Sequence, residues 1–214
     1  MLRLQLPLLS LLLSIPLLCR AEPAAIENGR SPDGRFEVVI ECDKDSPDYK
    51  DRYKLKGGDE DYPALLIRRV RSGKVLLRIP WPGDPNTDEQ LLSTHCKILW
   101  DPQSHLVAMN TNERFYSYTE VYRFQPKENS FSEVPLPSYP RLTGYPTPNT
   151  QLLKARSHEW ATGWSRRGNL IYYILLSPRG TYTGEDTMYH RVAISFAKRK
   201  PRVAARRMLP RNDR

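Results

Sequence analysis

The stretch Ser31-Pro32-Asp33-Gly34-Arg35-Phe36-Glu37-Val38-Val39-Ile40 runs from a turn straight into a strand. Proline presets φ, the aspartate bonds its own backbone, and glycine takes the left-handed position before an apolar, β-branched run begins. The chain repeats the phrase in altered wording. Trp100-Asp101-Pro102-Gln103-Ser104-His105-Leu106-Val107-Ala108-Met109 is a second copy, and Trp164-Ser165-Arg166-Arg167-Gly168-Asn169-Leu170-Ile171-Tyr172-Tyr173 a third. A repeat of this kind speaks first to architecture, because each copy marks one supersecondary unit.

Each copy is followed by more strand grammar. Ala64 to Val70, a turn at Arg71-Ser72-Gly73-Lys74, and Val75 to Ile79 read as a hairpin with glycine supplying the positive φ. Thr119 to Phe124 alternates apolar and polar residues, turns at Pro126 to Ser130, and returns through Phe131 to Leu136. Asp186 to Phe196 is the third follower. The connections 43–62, 81–91 and 135–150 are charged or proline-rich and belong on the surface. Gln151 to Trp160, with Thr150 as N-cap, is the one helix candidate.

At these turns the chain resembles the WD40-like β-propeller repeats of secreted bacterial proteins, in which a Ser-Pro-Asp-Gly turn precedes a buried strand. Ser31-Pro32-Asp33-Gly34 carries that turn in full, and the other copies keep Trp100 with Pro102, and Trp164 with Ser165 and Gly168. The resemblance implies an all-β, antiparallel fold of three propeller-like units, at about 31–99, 100–163 and 164–197. It also implies that Trp100 and Trp164 plug equivalent places between units. Gly34 to Ser104 is 70 residues and Ser104 to Gly168 is 64, against about 40–45 for a blade. Three units also fall short of the four or more that close a ring, so the array is expected to be open or incomplete. An ordinary antiparallel β-sandwich is the alternative.

The N-terminus has Arg3, an apolar run broken by Pro7 and Pro16, and Cys19-Arg20-Ala21. It reads as a signal peptide over 1–21, cut after Ala21, with a periplasmic or secreted product. A retained membrane anchor is the alternative, for which the run is short. Residues 22–197 then form one domain. The formal charge of +9 is unevenly spread: from Lys198 onward eight basic residues face only Asp213, Arg3 and Arg20 lie in the leader, and the body between is balanced. A neutral body argues against a whole face built to track phosphates and against sequence-specific nucleic-acid reading. The tail 198–214 is expected to be disordered, with Lys198, Arg199, Lys200, Arg202, Arg206 and Arg207 as contacts for an anionic polymer or membrane surface. Export permits a disulfide between Cys42 and Cys96, the two cysteines left in the mature chain.

No residue pattern dictates a reaction, and no catalytic, cofactor or metal residue is assigned. The histidines His95, His105, His158 and His190 lack metal-ligand spacing. Asp43 to Asp48 lacks the glycine and glutamate of a calcium loop. In Gly163-Trp164-Ser165-Arg166-Arg167, arginine stands where a nucleophile elbow needs its second glycine. The reading is an exported, non-enzymatic β-repeat protein that binds a protein or glycan, with Trp81 and Trp160 as exposed contacts. One alternative is a hydrolase using the carboxylates Glu41, Asp43, Glu159, Glu185 and Asp186. The other is a surface protein tethered to a polyanion by its tail.

Overall fold

The computed structural model of the chain describes residues 24–41, 64–80, 96–112, 117–144, 156–177, 188–198 and 200–209. These residues form three antiparallel meanders of four strands. Ala24–Arg30 (β1), Phe36–Glu41 (β2), Ala64–Arg69 (β3) and Val75–Pro80 (β4) make the first as a separate sheet. Cys96–Trp100 (β5), Leu106–Asn112 (β6), Ser117–Gln125 (β7) and Ser130–Glu133 (β8) make the second. Arg156–Trp164 (β9), Asn169–Ser177 (β10), Met188–Ser195 (β11) and Arg202–Leu209 (β12) make the third. One parallel pair, Ser117 with His158, joins the second and third meanders into an eight-stranded sheet. Neither sheet closes on itself. A single helical turn, Tyr139–Thr143 (α1), lies between β8 and β9.

The three turn phrases share one geometry. Gly34, Ser104 and Gly168 have φ of 70°, 59° and 71°. Their N–H groups donate to the carbonyls of Ser31, Asp101 and Ser165, each at 2.9 Å. The side chains of those three residues accept from the strand that follows: Ser31 Oγ from Phe36 N, Asp101 Oδ1 from Leu106 N, and Ser165 Oγ from Asn169 N. Ser104 holds a left-handed conformation that costs an L-residue roughly 1–2 kcal/mol. Its hydroxyl offsets this by accepting from Asp33 N at 3.2 Å, which ties the second turn to the first. The tryptophans tie the meanders in the same sense. Trp100 Nε1 donates to Gly29 O and Trp164 Nε1 to Leu99 O, both at 2.9 Å. In each case the acceptor lies two residues before the preceding turn.

Strand alternation decides where the cores sit. In β6, Val107 and Met109 point to the first meander, where they join Phe36, Val38 and Ile67 together with Phe124 of β7. Leu106 and Ala108 point the other way and join Leu170, Tyr172, Ile174 and Val192. The second meander is therefore buried on both faces. Phe36 is the hub of the first core, with ring centroids 4.8 Å from Phe124, 5.2 Å from Phe131 and 6.2 Å from Trp100. On the far face of the first meander Val39, Ala64 and Leu66 are buried, flanked by the ion pairs Glu37–Arg68 and Glu41–Arg78.

Three expectations are corrected. Residues 156–160, the second half of the helix candidate, begin β9, because pairing along the whole of β10 outweighs the weak helix preference of Arg-Ser-His-Glu-Trp; its first half lies outside the described residues. Residues 202–209 of the tail form β12 on the edge of the third meander, with Val203 packed against the second core. Charge argues against a buried strand but suits an exposed edge, which needs only one neighbour. Each meander also starts one strand upstream of the expected units, at Ala24, Cys96 and Arg156, because the turn phrase joins its first two strands. The leader 1–21, Cys42 and Trp81 lie outside the described residues.

Candidate functional site

The third meander carries most of the sequence-predicted contacts. Its strand β10 is apolar at successive positions from Leu170 to Leu176. Leu170, Tyr172 and Ile174 are fully buried against the second meander. Ile171 and Tyr173 point outward and are half-buried. Trp160 lies opposite Tyr173 in the ladder, and their rings stack at 5.9 Å and 14°. Tyr189, Arg191 and Ala193 of β11 continue that face, followed by Ala205 and Arg207 of β12. The result is a row of half-buried aromatic and aliphatic side chains bordered by two exposed arginines. Trp160, expected as an exposed contact, is half-buried on this face, and Tyr173, its stacking partner, was hidden in an apolar run.

Between β7 and β9 lies a buried polar seam that the sequence does not announce. Asn110 Nδ2 donates to Ala161 O at 2.6 Å, while its Oδ1 accepts from Thr119 Oγ1 at 2.7 Å and from Ala161 N at 2.9 Å. The side chain replaces the ladder bonds missing where only one residue pair joins the two strands. Beside it, Tyr172 OH donates to Glu159 Oε2 at 2.6 Å. Burial raises the Glu159 pKa, and burial with the nearby carboxylate raises that of Tyr172. Ser117 Oγ and His158 Nδ1 are 3.2 Å apart at the seam's end.

Of the carboxylates considered for hydrolysis, Asp43, Glu185 and Asp186 lie outside the described residues. Glu41 pairs with Arg78 on the first meander and Glu159 with Tyr172 on the third, so these two do not converge. Cys96 is a free thiol in the first core, and its expected partner Cys42 lies outside the described residues. Burial and the neighbouring Glu120 push its pKa up to about 12, so it packs as a small hydrophobe. Of the basic residues in the tail, Lys198, Lys200, Arg202, Arg206 and Arg207 are exposed, and Arg199 lies outside the described residues. Arg207 joins the outward face through its pairing with Arg191. Arg206 turns the other way, toward α1, with Nε donating to Leu142 O at 2.8 Å and Nη2 to Arg141 O at 2.6 Å.

In comparison with known proteins, the chain matches no family model and no curated protein.

Proposed function

We propose that this is an exported, non-enzymatic binding module, an open array of three propeller-like units that holds a protein partner on the outward face of its third meander. Export rests on the leader-like 1–21 segment. The propeller-like reading rests on three four-stranded meanders in series, on the shared turn geometry, and on indole-to-carbonyl links repeated from unit to unit.

One observation carries the binding role. The first meander turns Phe36 and Val38 onto the second, and the second turns Leu106 and Ala108 onto the third. The third turns Ile171 and Tyr173, with Trp160, toward no described neighbour of that kind. A face continuing the internal stacking pattern suits another β-sheet, and large aromatics anchor protein interfaces well.

The test is photocrosslinking in cells, with p-benzoylphenylalanine replacing Tyr173, and with the same residue at exposed Glu133 as control. A discrete protein adduct from position 173, absent from position 133 and lost in Trp160→Gln, is the expected result. Equal yields from the two positions, or an adduct with carbohydrate instead, would defeat the reading.

A further inference from the structure

A second site lies where β12 meets α1: Val203 and Arg206 face inward, and Arg202, paired with Ser195 at the start of the strand, completes the lining from the outward parity. Helix α1 is a single turn fixed from below by Leu142 and Thr143, both buried. It stops at Gly144, whose φ of 83° is left-handed and whose N–H returns to Pro140 O at 2.9 Å. The end of the turn offers the carbonyls of Arg141 and Leu142 to one guanidinium, that of Arg206. Two donated bonds fix the plane of this guanidinium. Gly144 leaves the necessary room, since a Cβ there would fall 2.0 Å from Arg206 Nη1.

A cleft of about 440 Å³ opens beside this contact, lined by Pro137, Arg141, Pro201, Arg202, Val203 and Arg206. The described lining holds three arginines and no carboxylate. Gathering like charges without a counter-charge is unfavourable, and an anion placed among them recovers that cost. The prolines and Val203 supply the apolar part of the cleft wall. Exposed Lys198 and Lys200 lie just before Pro201 in sequence. Arginine forks match the paired oxygens of a phosphoryl group better than a point charge does.

We propose that the cleft between α1 and β12 binds a phosphate group, with Arg141 and Arg202 as its contacts and Arg206 holding the two elements in register. The reading is independent of the outward-face partner. It gives the expected polyanion contact a defined geometry and adds Arg141, which lies 65 residues from Arg206 in the chain.

Isothermal titration of the full chain at physiological salt, with inorganic phosphate, long-chain polyphosphate and phosphatidylglycerol vesicles as separate probes, tests it. The expected result is saturable binding of at least one probe, weakened about tenfold by Arg202→Gln and by Arg141→Gln. Arg207→Gln, an equal loss of charge on the same strand but outside the cleft lining, should change affinity about twofold or less. Which probe binds identifies the source of the phosphate. Binding that weakens equally in Arg207→Gln would reduce the site to diffuse attraction by a basic strand and overturn the proposal. Failure of all three probes would overturn it as well. Arg206→Lys is measured alongside by thermal unfolding, since it also loosens α1.

Discussion

The second and third meanders have the same order of four antiparallel strands, yet among the described residues the second is buried on both faces, while the outward face of the third sets half-buried Ile171 and Tyr173 beside buried Leu175. Strand β6 is buried at every position from Leu106 to Thr111, whereas in β10 the half-buried residues Ile171 and Tyr173 alternate with Leu170, Tyr172 and Ile174. The composition of β10 does not reflect that difference. It is at least as apolar as β6, so its outward positions hold more hydrophobic area than a solvated face needs. A strand written for two neighbours but supplied with one among the described residues is the physical basis for the partner proposed here.

The comparison breaks most sharply at its hub. Phe36→Ala should cost about 3–5 kcal/mol, read by urea denaturation, because it empties the centre of four aromatic rings. Ile171→Ala on the open face should cost about 1 kcal/mol or less. If the two losses match, the third meander's outward face is as enclosed as the core. Next in size is the seam that joins the two meanders. Asn110→Ala removes three hydrogen bonds and should cost about 2–3 kcal/mol. Hydrogen exchange should then show β9 to β12 opening ahead of β6 and β7. Smaller again, Trp164→Phe keeps the ring contact with Phe196 but frees Leu99 O, for about 1 kcal/mol.

Two carboxylates give the smallest effects, with opposite signs. Burial pushes the Asp33 pKa up, but bonds from Arg35 N, the Ser31 hydroxyl and the Arg35 guanidinium prevail and hold it at about 2, below its ordinary 3.8. Its stabilisation is complete above pH 3.8 and is lost as pH falls through about 2, so Asp33→Asn should flatten acid unfolding in that window. Glu159 is raised by burial, so its ionisation opposes folding as pH rises past its ordinary 4.5. Glu159→Gln still accepts from Tyr172 and should stabilise the protein at neutral pH but not at pH 4. Thermal melts of both variants across pH 2–8 check the signs.

Much of the fold was legible because it rests on short-range chemistry. Alternation gave β7 and β11, the Gly73 turn gave the β3–β4 hairpin, and the turn phrase gave the left-handed glycines Gly34 and Gly168, with Ser104 taking the same conformation in the second copy. What escaped depends on contacts distant in sequence. Arg202 to Leu209 is an unpromising strand by composition and exists because β11 offers it an edge. Arg156 to Trp160 suits a helix locally and a strand once β10 is alongside. The candidate sites divide in the same way. Trp160 was visible as a large aromatic in a polar context, while Tyr173 and Arg141 gain their meaning only from residues brought to them by the fold.

The tryptophan links also give the array a direction. The indoles of the two turn-phrase tryptophans each reach back to a carbonyl in the meander before, and the first meander has Arg30 where the others have Trp100 and Trp164. Shortening the protein from its C-terminal end removes donor and meander together and leaves behind only a bare carbonyl, which tolerates incomplete bonding. Shortening it from the other end strands an N–H, which tolerates it far less. These two links alone make loss of the third meander cheaper than loss of the first.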